Sequence, residues 1–427
     1  MHVSGQGNLQ RTIGTGGAVL LGLGSIIGTG VFVSIAVAVD LTGSWVLVAI
    51  AIATLTATCN GLSSAQLAAA FPVSGGTYEY GTRLLTPSIG FAAGWLFLCA
   101  KSASAAAAAL GAAAYLLNIL GYADSGAETY VALTVLLIAT GTVLVGLRAS
   151  VLVTLSILLL AGVGLTVFLL ASLDAEISIS GKTMPSDASA IPFAAALMFV
   201  AFTGYGRIAT LGEEVRNPSR SIPRAIIITL ICTGMLYMLV GWAVSNSVMP
   251  EDAAAATSEL NPLQLITMRS WGPVAGTVVA AAATAAMVGV LLNLLLGLSR
   301  VMLAMARRGD MPHRCGRVSG PSSTPRTAVI VIACIIALLI CMGGFTFAWS
   351  LSACTVLIYY ALTNASALRL SDIHRTWPRW IPMLGLLLCT VLAFSLPIAI
   401  WSIGLSVLVA GFLYRWIHRL IRTDPLQ

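Results

Sequence analysis

The chain is laid out as a succession of apolar stretches, each near twenty residues or longer, parted by short segments that hold nearly all of its charge. A hydrocarbon core about 30 Å thick takes about 20 helical residues to cross, at about 1.5 Å per residue. On that measure the sequence reads as twelve spans: 12–39, 45–71, 88–121, 127–146, 149–172, 190–212, 223–246, 273–305, 327–343, 347–370, 381–397 and 399–421. Only a tight reversal at Pro397 separates the last two, yet 381–421 is about 60 Å as helix, enough for two crossings. Of 427 residues, 9% are charged, against about 25% in a soluble domain, so the chain cannot cover itself with a water-compatible surface. The fold class is therefore an all-α polytopic membrane protein, in which each helix satisfies its own backbone.

Arginine placement orients the spans. With the N-terminus cytoplasmic, the inner segments hold Arg11, Arg83, Arg148, Arg216, Arg220, Arg224, Arg300 and the arginines from Arg307 to Arg326, Arg369 to Arg379 and Arg415 to Arg422. The other side keeps Lys182 and Arg269, with Asp124, Glu128, Asp174, Glu176, Asp187, Glu251, Asp252 and Glu259. Both termini are expected in the cytoplasm of a cell membrane protein. The net charge of +7 does not point to nucleic acid, because the basic residues lie between apolar stretches and not on one polar domain. Ala36-Val37-Ala38 resembles a signal cleavage site, but the apolar stretch from Thr12 exceeds the about 7–15 residues of a secretory core, so span 1 is read as retained.

Enzymatic chemistry finds no support. The eight cysteines form no CxxC and seven lie in apolar spans, where they read as small buried hydrophobes. The four histidines are far apart, so no metal site or cofactor is expected. No carboxylate stands in the middle of a span.

Glycine supplies the internal pattern. Span 1 is interrupted by Gly24-Ser25-Ile26-Ile27-Gly28-Thr29-Gly30 and span 6 by Thr203-Gly204-Tyr205-Gly206. Spans 3 and 8, two places after each interruption, are both long. The halves 1–5 and 6–10 then run in opposite senses, a five-plus-five inverted repeat with two extra C-terminal helices. The units are 1–172, 190–370 and 381–421. Paired interrupted spans at matching places point to a transporter's central site. Free N–H groups opening a half-helix attract an anion, and carbonyls closing one attract a cation. We read Gly28, Thr29 and Gly30 as holding a substrate carboxylate, with the carbonyls of Ile26, Phe202 and Thr203 toward its amino group. Any single one of these glycines also fits small-residue helix packing. Gly22-Leu23-Gly24 begins like a dinucleotide loop, but Ile27 stands at the third glycine and no strand precedes it.

The segment Gly24–Phe32 resembles the first-helix motif of the amino acid–polyamine–organocation (APC) superfamily of permeases. Phe202–Gly206 with Glu213–Pro218 and Ile222-Pro223 resembles that family's sixth helix and following loop, and Ser299-Arg300 with Ala304–Pro312 the end of its eighth. The resemblance implies a LeuT-like fold and an aromatic gate on the outer side of the site, for which Phe199 and then Phe202 are the candidates. Many relatives carry an acid where Gly206 aligns, and its absence beside Arg207 argues against guanidinium or polyamine substrates. Span 5 lacks the lysine some relatives carry. The middle of span 8 has Asn293 among leucines and no Ser/Thr pair suited to sodium. Lys101, about 20 Å along span 3, is the substitute. A mid-bilayer lysine costs about 2.5–3.5 kcal/mol and usually marks a cavity. Lys101 and Arg207 are therefore assigned to coupling or charge selection, against plain carbonyl bonding or ion pairing. Glu213 and Glu214, at a helix C-terminus, read as an inner gate or brace offset by Arg216, Arg220 or Arg300.

The sequence thus describes a secondary active transporter of amino acids, expected to be neutral ones, working by alternating access around spans 1 and 6. Its partners are a small-molecule amino acid and the bilayer. The coupling ion is open between proton and sodium, with a proton or exchange favoured, and so is the oligomeric state. The rival readings are a non-transporting amino acid sensor, although the short segments flanking the spans leave no signalling domain in view, and a transporter of another organic amine. Orientation is directly testable. A cysteine at position 186 is expected to react with an impermeant thiol reagent from outside intact cells; labelling only after permeabilisation would reverse the topology.

Overall fold

The computed structural model describes residues 13–72, 75–122, 125–145, 151–175, 189–209, 215–247, 261–318 and 325–422. Each of the twelve spans is helical there. Span 1 is Thr15–Ile26 and, after a break, Gly30–Ser34 and Ile35–Thr42; span 6 is Ala190–Phe202, a single turn Thr203–Tyr205, and Gly206–Ala209. The others are Val46–Ala70, Pro87–Ile119, Glu128–Val145, Val151–Leu173, Pro218–Ser247, Pro273–Arg307, Arg326–Met342, Phe345–Leu368, Trp380–Phe394 and Ile398–Arg422. Span 7 begins at Pro218, ahead of the expected 223, because the helix carries on through Pro223. It is launched by Asn217, whose φ of 49° is one that asparagine tolerates.

Two short helices were not anticipated. Pro262–Trp271 had its punctuation in the sequence, a proline at the first helical position and Gly272 with φ 85° just past the end. Thr77–Leu84, with Glu79 and Arg83, is short and polar enough to read as loop.

Span 3 forms the centre and packs along spans 8 and 10. Its run Ala105–Ala109 is fully buried, as are Ala112 and Ala113. Side chains this small let neighbouring helices approach closely, which is how helices gain packing energy where lipid removes the hydrophobic drive. Span 12 turns Leu405, Val409, Phe412, Leu413 and Trp416 outward, a surface suited to acyl chains.

One end of the bundle is tied by charge. Glu79 pairs with Arg308 at 2.5 Å and Arg83 at 3.4 Å. Asp310 accepts from the Tyr78 hydroxyl at 2.8 Å and from Arg415 Nε at 3.1 Å. Burial and the Asp310 carboxylate hold the Tyr78 hydroxyl well above its usual pKa, so it stays a donor. The helix Thr77–Leu84 thereby clips the loop after span 8 to span 12.

Core substitutions should follow this packing. Ala107→Leu is expected to destabilise by about 1–3 kcal/mol through overpacking, whereas Leu137→Ala, on a side chain 73% exposed, should be close to neutral. Thermal unfolding of the two purified variants distinguishes them, and an unshifted Ala107→Leu would contradict the central placement of span 3.

Candidate functional site

The first half of span 1 ends where Ile27 leaves helical geometry, with ψ of 104°. Its last carbonyls then lack intrahelical partners, and the amides of Gly28, Thr29 and Gly30 open the next half-helix with none either. Side chains from other spans meet the carbonyl end. Asn293 Nδ2 reaches the Gly24 oxygen at 3.5 Å. The Tyr237 hydroxyl lies 3.1 Å from the Ile26 oxygen and 3.2 Å from that of Ala201, and its one hydrogen serves one at a time. Thr29 is 2% exposed, and its Oγ1 has no hydrogen-bond partner among the described residues.

The two breaks touch. A Cβ at Gly204 would press into the Ser25 carbonyl oxygen, and one at Gly30 would come 2.6 Å from both Ala201 Cβ and Tyr237 Oη. At Gly28 it would lie 2.6 Å from Val290 Cγ2 of span 8. The packing reading of these glycines is what the contacts show: the same missing side chains let three spans close on a segment of opened backbone.

Lys101 reaches this place from span 3. Its Nζ is 2.6 Å from Thr203 Oγ1 and 3.4 Å from the Thr203 oxygen, and the residue is 6% exposed. Thr203 Oγ1 in turn donates to the Val200 oxygen at 2.6 Å. Tyr360 of span 10 also directs its hydroxyl to the Thr203 oxygen, at 3.4 Å. The Lys101 amine thus sits at the closing carbonyls of a half-helix, the end that favours a cation. Of the three carbonyls assigned to a substrate amino group, those of Ile26 and Thr203 are met by the protein's own Tyr237, Lys101 and Tyr360.

Phe199 and Phe202 are fully buried. Phe199 packs edge-on to Tyr360 at 5.6 Å between ring centroids, and Phe202 to Tyr237 at 4.8 Å. Arg207 is partly buried, its Nη1 3.4 Å from where a Cβ on Gly297 of span 8 would stand. Glu213 and Glu214 lie outside the described residues. Just beyond them Val215 pairs with Ile13, and the Arg216 amide donates to the Ile13 oxygen at 2.8 Å, so backbone ties the start of span 1 to the segment after span 6. Tyr237 and Tyr360 were missed from sequence. Each stands alone or paired within an apolar span, the only signal they carried, and a mid-span tyrosine reads equally well as core.

An amino acid permease family model matches residues 17–421. The chain belongs to that family. An uncharacterized transporter of Mycobacterium tuberculosis is 38% identical, over 98% of this chain and 94% of its own length. The branched-chain amino acid permease of Bacillus subtilis is 29% identical, over 79% and 76% respectively. A manganese transporter from Eremococcus coleocola has a crystal structure matching at TM-score 0.60 and 13% identity, over 95% of this chain and 94% of that one, a likeness of fold. The permease is a transporter and no enzyme, with the five-plus-five inverted repeat and two further helices.

Contact between the breaks generates a graded expectation. Gly204→Ala sets a methyl group against backbone that cannot swing aside and should cost about 1–3 kcal/mol along with substrate binding. Gly206→Ala meets only the Tyr360 hydroxyl, at 2.9 Å, and should be milder. Unfolding temperatures measured side by side test the order; a native-like Gly204→Ala would mean the breaks are not in contact.

Proposed function

We propose that this permease carries neutral amino acids across the cell membrane by alternating access around the facing breaks of spans 1 and 6, with both termini in the cytoplasm. The observation that carries the substrate class is Lys101 on Thr203. In its protonated form Lys101 repels a substrate with a cationic side chain, at about 4 kcal/mol for unit charges 4 Å apart at an effective dielectric near 20. No carboxylate stands mid-span to offset it. A zwitterion suits the same place. Its carboxylate meets the amides of Gly28, Thr29 and Gly30 and the open hydroxyl of Thr29, while its amino group takes carbonyls that Tyr237 and Lys101 hold in its absence. Substrate arrival then displaces these side chains, linking occupancy to the contacts that fasten span 7 to both breaks and span 3 to span 6. Phe199 and Phe202 cover the substrate on the outer side. The Bacillus relative, a branched-chain amino acid permease, is in keeping with an aliphatic substrate lying among them.

Lys101 also offers an amine on which a coupling proton can ride, since moving it on or off Thr203 changes a bond that the substrate competes for. Arg207, beside span 8, takes the lesser part of keeping the inner approach positive. Glu213 and Glu214 keep the role of inner gate or brace that the sequence assigns them.

The test is uptake by reconstituted protein across a panel of neutral, acidic and cationic amino acids, with pH and sodium gradients imposed separately. Neutral amino acids are expected to be taken up and lysine and arginine refused. If Lys101 carries the coupling proton, Lys101→Ala should abolish the response to a pH gradient; if it only filters charge, Lys101→Glu should admit lysine or arginine. Folded variants that keep the wild-type pH profile and substrate range would overturn the role of Lys101, and uptake of cationic substrates by the wild type would overturn the class.

A further inference from the structure

We propose that the face between spans 2 and 7 is a seat for one anionic phospholipid, acyl chain in the groove and phosphate on Arg220 and Arg224. A groove of about 950 Å³ runs there, lined by Thr54, Leu55 and Leu62 of span 2 and Ile227, Ile231 and Met235 of span 7, with Trp377 at one end. It extends from Ala51 to Leu62 on one helix and from Met238 to Ile227 on the antiparallel other. Eleven residues of helix are about 16 Å, close to the thickness of one leaflet of an about 30 Å core. The groove is therefore one leaflet deep.

Its headgroup end is charged. Arg224 and Arg220 stand three and seven residues before Ile227, on the helical face that lines the groove, and both are exposed. Span 7 has 30 residues, about 45 Å, so its first turns pass beyond the hydrocarbon. Trp377 belongs at the same boundary: its backbone N–H donates to Gln66 Oε1 at 3.4 Å near the end of span 2. A tryptophan lining an apolar slot, with exposed arginines continuing one wall of that slot, is a pattern suited to an anionic headgroup at a membrane interface. A second copy of the chain fits less well, since a two-fold contact would bring the same arginines together.

The seat is independent of the substrate reading and needs only that the chain spans a bilayer. It is tested on the purified, delipidated full chain by native mass spectrometry, titrating phosphatidylglycerol against phosphatidylcholine of identical chains. Phosphatidylglycerol is expected to bind more tightly, on the order of tenfold. The double variant Arg220→Gln/Arg224→Gln should bring it down to the phosphatidylcholine level and leave phosphatidylcholine unchanged. Leu55→Trp, which fills the groove, should weaken both lipids. Equal binding of the two lipids by the wild type, or a preference that survives loss of both arginines, overturns the proposal. So does full competition by sn-glycerol 3-phosphate, which would show a free-anion site with no part for the groove. If Leu55→Trp fails to fold, the exposed arginine pair decides the matter alone.

Discussion

Lipid offers no hydrogen bonds, so a helix broken in mid-membrane must find partners for every freed backbone group within the protein. The structure answers that demand at one place. Spans 1 and 6 break opposite each other, and the side chains of Asn293, Tyr237, Tyr360 and Lys101 converge on the opened carbonyls. Each comes from a different helix, so the breaks act as the knot that fastens spans 3, 7, 8 and 10 to the two interrupted ones.

Small side chains make that convergence possible. The alanines of span 3 bring its neighbours close enough for Lys101 to reach Thr203. Gly28, Gly30 and Gly204 permit contacts that a single methyl group would forbid. On the proposed reading, a substrate that competes for these carbonyls would act on helix positions directly, with no intermediate element. The ion-paired end, where Glu79, Arg308, Asp310 and Arg415 join three segments, lies apart from this knot and holds the scaffold around it.

Much of this was legible in the sequence, for physical reasons. Hydropathy and length locate spans because the bilayer imposes both, and the glycine interruptions of spans 1 and 6 announce breaks because glycine is what a close backbone approach requires. Lys101 stood out because a charge in mid-span is costly. Thr203 was singled out for its carbonyl, but its pairing with Lys101 was not legible, since only the fold brings span 3 to span 6. Tyr237 and Tyr360 were hidden for the converse reason: within an apolar helix an aromatic ring is unremarked until its hydroxyl is seen to aim at a broken turn. The helix Thr77–Leu84 escaped because it is held by tertiary ion pairs and not by a periodic apolar face. Span 7's start was set too late, because a proline that ordinarily ends a helix lies inside this one.

The central claim is that substrate lies at the facing breaks. Photo-crosslinking tests it most directly. The purified transporter would be irradiated with a diazirine analogue of an aliphatic amino acid, and the labelled peptides mapped by mass spectrometry with and without excess unlabelled substrate. Labelling that the substrate suppresses is expected within residues 26–30 and 199–204. Suppressible labelling confined to other spans, with both breaks untouched, would contradict it.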